Sequence, residues 1–139
     1  MPIRVVRLGT ARQKGEGLRL GTVRRPPRGV RKTDYAKRDY YDVWLPELAP
    51  SAATLSGALA ADWTPARWRA FVRAYLREMR EPPARHLIET LAALSRRADF
   101  SIGCYCADPA WCHRSLLADL LADAGGAVLP FEGRKEKRP

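Results

Sequence analysis

Three cysteines fall within nine residues, and a histidine and an arginine follow at once: Cys104-Tyr105-Cys106-Ala107-Asp108-Pro109-Ala110-Trp111-Cys112-His113-Arg114. Thiols, an imidazole and a guanidinium this close together admit three chemistries. In the first, Cys112 is a nucleophile whose thiolate is stabilised at a helix start beside His113 and Arg114. His113 is then the acid or base. Arg114 holds a phosphate or carboxylate through its planar fork. Cys104 and Cys106 support the site, reversible disulfide exchange with Cys112 is a variant, and no cofactor is needed. In the second, Cys104, Cys106, Cys112 and His113 ligate zinc. The spacing Cys-x-Cys-x5-Cys-His is unusual for zinc. Neighbours on a helix also point about 100° apart, so a version with the three cysteines alone is easier to build. In the third, the cysteines simply pack as small apolar residues.

A second candidate element is Arg24-Arg25-Pro26-Pro27-Arg28-Gly29. Its prolines lack the donor that a helix or a central strand requires, so it reads as a basic loop. Arg24 and Arg28 are expected to join Arg114 around one anion pocket. Ser115, Asp119 and Asp123 are expected to face solvent.

The charge distribution points the same way. The net charge is +10. Residues 1–40 hold twelve Lys and Arg against Glu16, Asp34 and Asp39, a balance of +9, whereas residues 41–139 hold thirteen against twelve. The basicity belongs to the first third, which suits a phosphate-bearing small molecule or nucleic acid. A solvated basic surface is the plainer alternative, since Arg outnumbers Lys 20 to 5.

These residues need elements to position them. Residues 3–7 and 18–23 read as strands, and residues 100–105 as a short buried strand. A short helix through Leu55 and Leu59 is expected after Ser51. Thr64-Pro65 is an N-cap followed by proline at the first helical position. Trp68, Phe71, Val72, Tyr75, Leu76 and Met79 then recur at spacings of 3 and 4, which marks an amphipathic helix. A second helix is predicted over 83–97 and a third through Leu116, Leu117, Leu120 and Leu121, closed by Gly125-Gly126. Cys112, four before Leu116, falls on that helix's buried stripe. Residues 127–131 read as a last strand. Strands alternating with helices predict one α/β domain over 1–131, a largely parallel sheet flanked by helices in a Rossmann-like three-layer arrangement. Residues 132–139 read as a basic, disordered tail.

The chain of 139 residues suits a single domain. No run of about 18 apolar residues crosses a membrane. The start has no apolar h-region, which predicts a cytoplasmic protein.

At these residues the chain resembles a known family. Cys104, Asp108-Pro109 and Cys112-His113-Arg114-Ser115-Leu116-Leu117-Ala118 are similar to the C-terminal motif of the bacterial domain of unknown function 488 family. Arg24, Pro27-Arg28-Gly29-Val30, Trp44-Leu45-Pro46-Glu47-Leu48-Ala49-Pro50-Ser51 and Trp68-Arg69-Ala70-Phe71 with Tyr75 resemble its short, YeaO-like branch. The chain departs from both branches. The longer branch typically carries Glu where Cys106 stands. The short branch typically lacks the cysteines and the arginine, keeps a histidine at His113, and has Asp where Val23 stands. The resemblance implies a fold and a candidate site but no reaction. The functions it leaves open are an anion site able to carry catalysis, a non-enzymatic nucleic-acid-binding or regulatory module, and a zinc site.

Overall fold

The computed structural model describes residues 2–131. Its strands are β1 (Ile3–Arg7), β2 (Leu18–Gly21), β3 (Val43–Trp44) and β4 (Phe100–Cys104). Its helices are α1 (Ala52–Leu59), α2 (Pro65–Met79), α3 (Ala84–Leu94) and α4 (His113–Asp123). The sheet is wholly parallel in the order β1-β4-β2-β3. Parallel strands send all their C-terminal ends to one edge, where the connecting loops gather.

Capping decides the helix starts. Thr64 Oγ1 accepts the backbone N–H of Arg67 at 3.1 Å, and Pro65 occupies the first helical position. Ser51 Oγ does the same for Thr54 at 3.2 Å. Trp68, Phe71, Tyr75 and Met79 form the buried face of α2. They join Ile88 and Leu91 of α3, Leu116, Leu117 and Leu121 of α4, and Ile3, Leu20, Phe100 and Ile102 of the sheet in the main core. Those four strand residues share one face, because Ile3 pairs with Phe100 and Leu20 with Ile102.

The expected three layers are realised with α2, α3 and α4 on that face and the segments 8–17 and 35–42 on the other. There Arg19 Nε donates to Glu16 Oε2 at 2.7 Å, and Ser101 Oγ donates to the same oxygen at 2.6 Å. Burial pushes the Glu16 carboxyl up, but the bonds from Arg19, Ser101 and the Gln13 backbone outweigh it and hold the pKa at about 2.

Three expectations change. β3, a strand of two exposed residues, has too little pattern to read. The last strand reduces to a bridge between Ile3 and Val128, because Pro130 has no N–H to extend a ladder. α3 stops at Leu94, where Ser95 Oγ donates to Ala92 O at 2.7 Å. The expected tail, 132–139, lies outside the described residues. Among the described residues no helix is long and apolar enough to cross a membrane.

Candidate functional site

β4 ends at Cys104, a 3-10 turn spans Pro109–Trp111, and α4 begins at His113. Asp108 starts the turn by accepting the N–H of Ala110 at 2.9 Å. Cys112 precedes α4 with extended backbone, φ −138° and ψ 145°. It is therefore the cap and not part of the helical stripe. Because it lies outside the helix, the divergence expected of helical neighbours does not apply to it. The sulfurs of Cys104, Cys106 and Cys112 all lie within 4.8 Å of one another. Cys104 and Cys106 are 3.6 Å apart. Cys104 and Cys112 are buried, and Cys106 is exposed.

His113 is buried under the same edge. Its Nε2 lies 2.5 Å from Thr22 O, an acceptor only, so Nε2 carries the hydrogen and donates. Nδ1 is then the bare nitrogen, 3.8 Å from Cys112 Sγ. Burial pushes the imidazole pKa down and keeps the ring neutral.

The thiols share their protons unequally. The Cys104 thiol is held well below its ordinary value by hydrogen bonds from Cys106 and then Cys112, helped by the charge of Arg114. Burial drives the Cys112 thiol well up, and the neighbouring cysteines push it further. The Cys106 thiol is raised chiefly by its bond to Cys104. Hydrogen bonds therefore favour the charged form at Cys104, whereas burial disfavours it at Cys112, against what the place of Cys112 before the helix had suggested.

The arginines do not converge. Arg114 is 3% exposed. Its Nη1 donates to Val6 O at 2.8 Å and to Cys104 O at 3.5 Å, and its Nη2 to Cys106 O at 2.8 Å. Its buried Nε has no partner among the described residues. Arg24 spends its guanidinium on Pro50 O and Pro46 O, both at 2.9 Å, and on Ala49 O at 3.3 Å. Arg28 is exposed. The two loops do meet, since Tyr105 Oη donates to Arg25 O at 2.9 Å. The cleft lined by Arg114, however, is also lined by Arg4 and Arg7 and not by Arg24 or Arg28. That cleft is thus not the pocket expected for all three arginines, and carbonyls draw Arg24 towards the Pro46–Pro50 segment.

Ser115 is buried, not solvent-facing, with its hydroxyl donating to Cys112 O at 2.9 Å. Asp123 is exposed as expected. Two contributions escaped the sequence. Tyr41 packs with Leu8 and Val23 against Cys104 and Cys112, and its buried hydroxyl has no partner among the described residues. Burial raises its pKa to about 12. The ring fits because Gly21 has no side chain: a Cβ there would stand 2.2 Å from the ring. The other missed residues are Arg4 and Arg7, cations on the edge strand of the sheet, whose only signal was their place in an otherwise apolar strand.

The chain matches the family model DUF488-N3a, described as the active DUF488-N3 subclade, over residues 3–125. That span runs from β1 through α4 and includes every candidate residue above. No curated protein and no solved structure matches the chain.

Proposed function

The chain belongs to the DUF488 family, and we propose that its cysteine cluster is a soft-metal centre whose donor set suits zinc. The convergence of three sulfurs within 4.8 Å carries this reading. Zinc–sulfur bonds of about 2.3 Å in a tetrahedron set sulfurs about 3.8 Å apart. The Cys104–Cys106 separation of 3.6 Å is close to that edge. A metal also resolves the sharing of protons, because all three sulfurs can then be thiolates.

Three sulfurs leave one of four positions for a water or a ligand atom, the pattern of zinc sites that do chemistry. Cys106, the exposed member, marks the side from which solvent reaches the group. The neutral Nδ1 of His113 stands 3.8 Å from Cys112 Sγ as an adjacent base. A nucleophilic Cys112 is less well supported. At 2% exposure it is hard for a substrate to reach, and its thiol is pushed up.

The test is metal content by elemental analysis, with cobalt(II) as a coloured probe. One metal per chain is expected, with a thiolate-to-cobalt charge-transfer band, and Cys104→Ser and Cys112→Ser should lose both. A folded wild-type protein that retains neither zinc nor cobalt overturns the reading.

One observation favours a second role. Arg25, Arg28, Arg31, Lys32, Lys37 and Arg38 are all exposed on the segment beside the site. They form a surface fit for a polyanion such as nucleic acid, and binding there would weaken steeply with salt.

A further inference from the structure

We infer that the cleft beside β1 binds a small phosphate-bearing ligand, with Arg7 and Arg114 facing its phosphate and Arg4 lining the cleft further along β1. No cysteine lines this cleft, although Arg114 joins the two sites by donating to Cys104 O and Cys106 O, and the inference does not rest on the metal reading. The cleft has a volume of about 780 Å³, within the range of roughly 300–1,000 Å³ that small-molecule sites occupy. It is bounded by Arg4 and Arg7 of β1, by Arg114 of α4 and by Asp108. The charges are three cations against one acid, and Asp108 Oδ1 already accepts the N–H of Ala110.

Arg114 is the decisive group. A guanidinium that is 3% exposed ordinarily has a carboxylate partner, because a buried charge is costly alone. Among the described residues its acceptors are three neutral carbonyls, and Nε has none. The Cys104 thiol, which the charge of Arg114 favours in its ionised form, is one negative partner, and an anion in the cleft adds a second on the side that Arg114 lines. Among the described residues Arg7 gives only Nε, to Tyr105 O at 3.2 Å, which leaves both terminal nitrogens to a ligand. Arg4 donates to Gln13 and Lys14 at the opposite end of β1's exposed edge.

The cleft is more than an ion seat. Val5, Leu129 and Phe131 add an apolar wall. Its volume exceeds that of free phosphate, so the ligand class is a phosphate monoester with an apolar or aromatic body, such as a nucleoside monophosphate. Arginine forks match phosphate oxygens in pairs, which single point charges do not.

The experiment titrates the folded, full-length protein with inorganic phosphate and with a nucleoside monophosphate, by calorimetry. Arg7→Gln is the main variant, because Arg7 is exposed and its loss leaves the core intact. Arg4→Gln is the second, and Arg114→Gln is used only if it folds. The monophosphate should bind more tightly than phosphate, and Arg7→Gln should weaken it about tenfold or more. Absence of binding by either probe overturns the inference, as does binding that Arg4→Gln and Arg7→Gln leave unchanged. Binding of a duplex oligonucleotide but not of the monophosphate overturns it too, and assigns the phosphate contacts to the exposed 25–38 segment. Zinc content read on the same samples reports the metal reading independently.

Discussion

His113 Nε2 stands 2.5 Å from the carbonyl oxygen of Thr22, a residue 91 positions earlier in the chain. This bond ties the first residue of α4 to the segment just after β2. It also fixes which imidazole nitrogen faces Cys112. Replacing the ring by an apolar one of similar reach leaves a buried carbonyl unpaired. His113→Phe should therefore destabilise the protein by about 1–3 kcal/mol. Urea unfolding measures the loss, and an unchanged midpoint would show that water replaces the donor.

The thiols should react in an order set by access. Cys106 is exposed, while Cys104 and Cys112 are buried. Iodoacetamide is expected to modify Cys106 first in the metal-free protein, and a stoichiometric amount of zinc should suppress the reaction, since a metal-bound thiolate is a weaker nucleophile. Peptide mapping by mass spectrometry after short exposures checks this. Faster labelling of Cys112 would restore it as the reactive residue and count against the burial argument.

Acid should weaken the fold through Glu16. Its ordinary pKa of 4.5 falls to about 2 in the folded chain. A depressed carboxylate contributes stability that is complete above pH 4.5 and is lost as pH falls towards 2. The contribution is about 3 kcal/mol at neutral pH. Glu16→Gln should remove that slope. It also strands the buried Arg19 guanidinium, at a cost of about 3–5 kcal/mol. Thermal melts of both proteins between pH 5 and pH 2 separate the two effects. A wild-type melting temperature that stays flat across the window refutes the linkage.

Local signals in the sequence foretold most elements, and long-range ones went unread. Thr64-Pro65 and the 3–4 spacing from Trp68 to Met79 locate α2 because capping and amphipathicity are written in consecutive residues. The cysteine motif located the sulfur cluster for the same reason. The roles of the arginines were not legible. Arg24 turns towards the Pro46–Pro50 carbonyls and Arg114 towards Val6, and those partners lie 22 or more residues away for Arg24 and 108 away for Arg114. Counting charges also hid that Arg19 is fully buried against Glu16, since a count cannot tell a solvated arginine from a paired one. Cys112 looked helical because a spacing of four does not say whether a residue lies inside a helix or caps it.

Tyr41 offers a gain. Its hydroxyl is buried without a partner among the described residues, and the residue is 4% exposed. A buried hydroxyl without a bond forfeits its hydration for nothing, so Tyr41→Phe should leave stability unchanged or raise it, by up to about 1–3 kcal/mol. Chemical denaturation decides the sign. A loss above about 1 kcal/mol would mean that the hydroxyl holds a bound water or ligand near the sulfurs.

Two glycines separate conformational strain from collision. Gly15 and Gly17 both adopt left-handed backbone, with φ of 78° and 77°. Around Gly15 a Cβ would meet nothing within 4 Å, whereas at Gly17 it would stand 2.0 Å from Asp99 O. Asp99 immediately precedes β4, and Leu18 pairs with Phe100, so Gly17 sits where β2 and β4 first come together. Gly15→Ala should therefore cost only the backbone term, about 1–2 kcal/mol. Gly17→Ala adds the displacement of a strand backbone, about 1–3 kcal/mol more. The contact also anchors the strands whose far ends carry Thr22 and Cys104, so a shift there is carried to the sulfur cluster. Urea midpoints of the two variants give the difference directly, and cobalt(II) spectra of the same samples show whether the cluster has moved. Equal midpoints would mean that β2 and β4 are free to separate at this end, and that the close packing at Gly17 is not what sets their register.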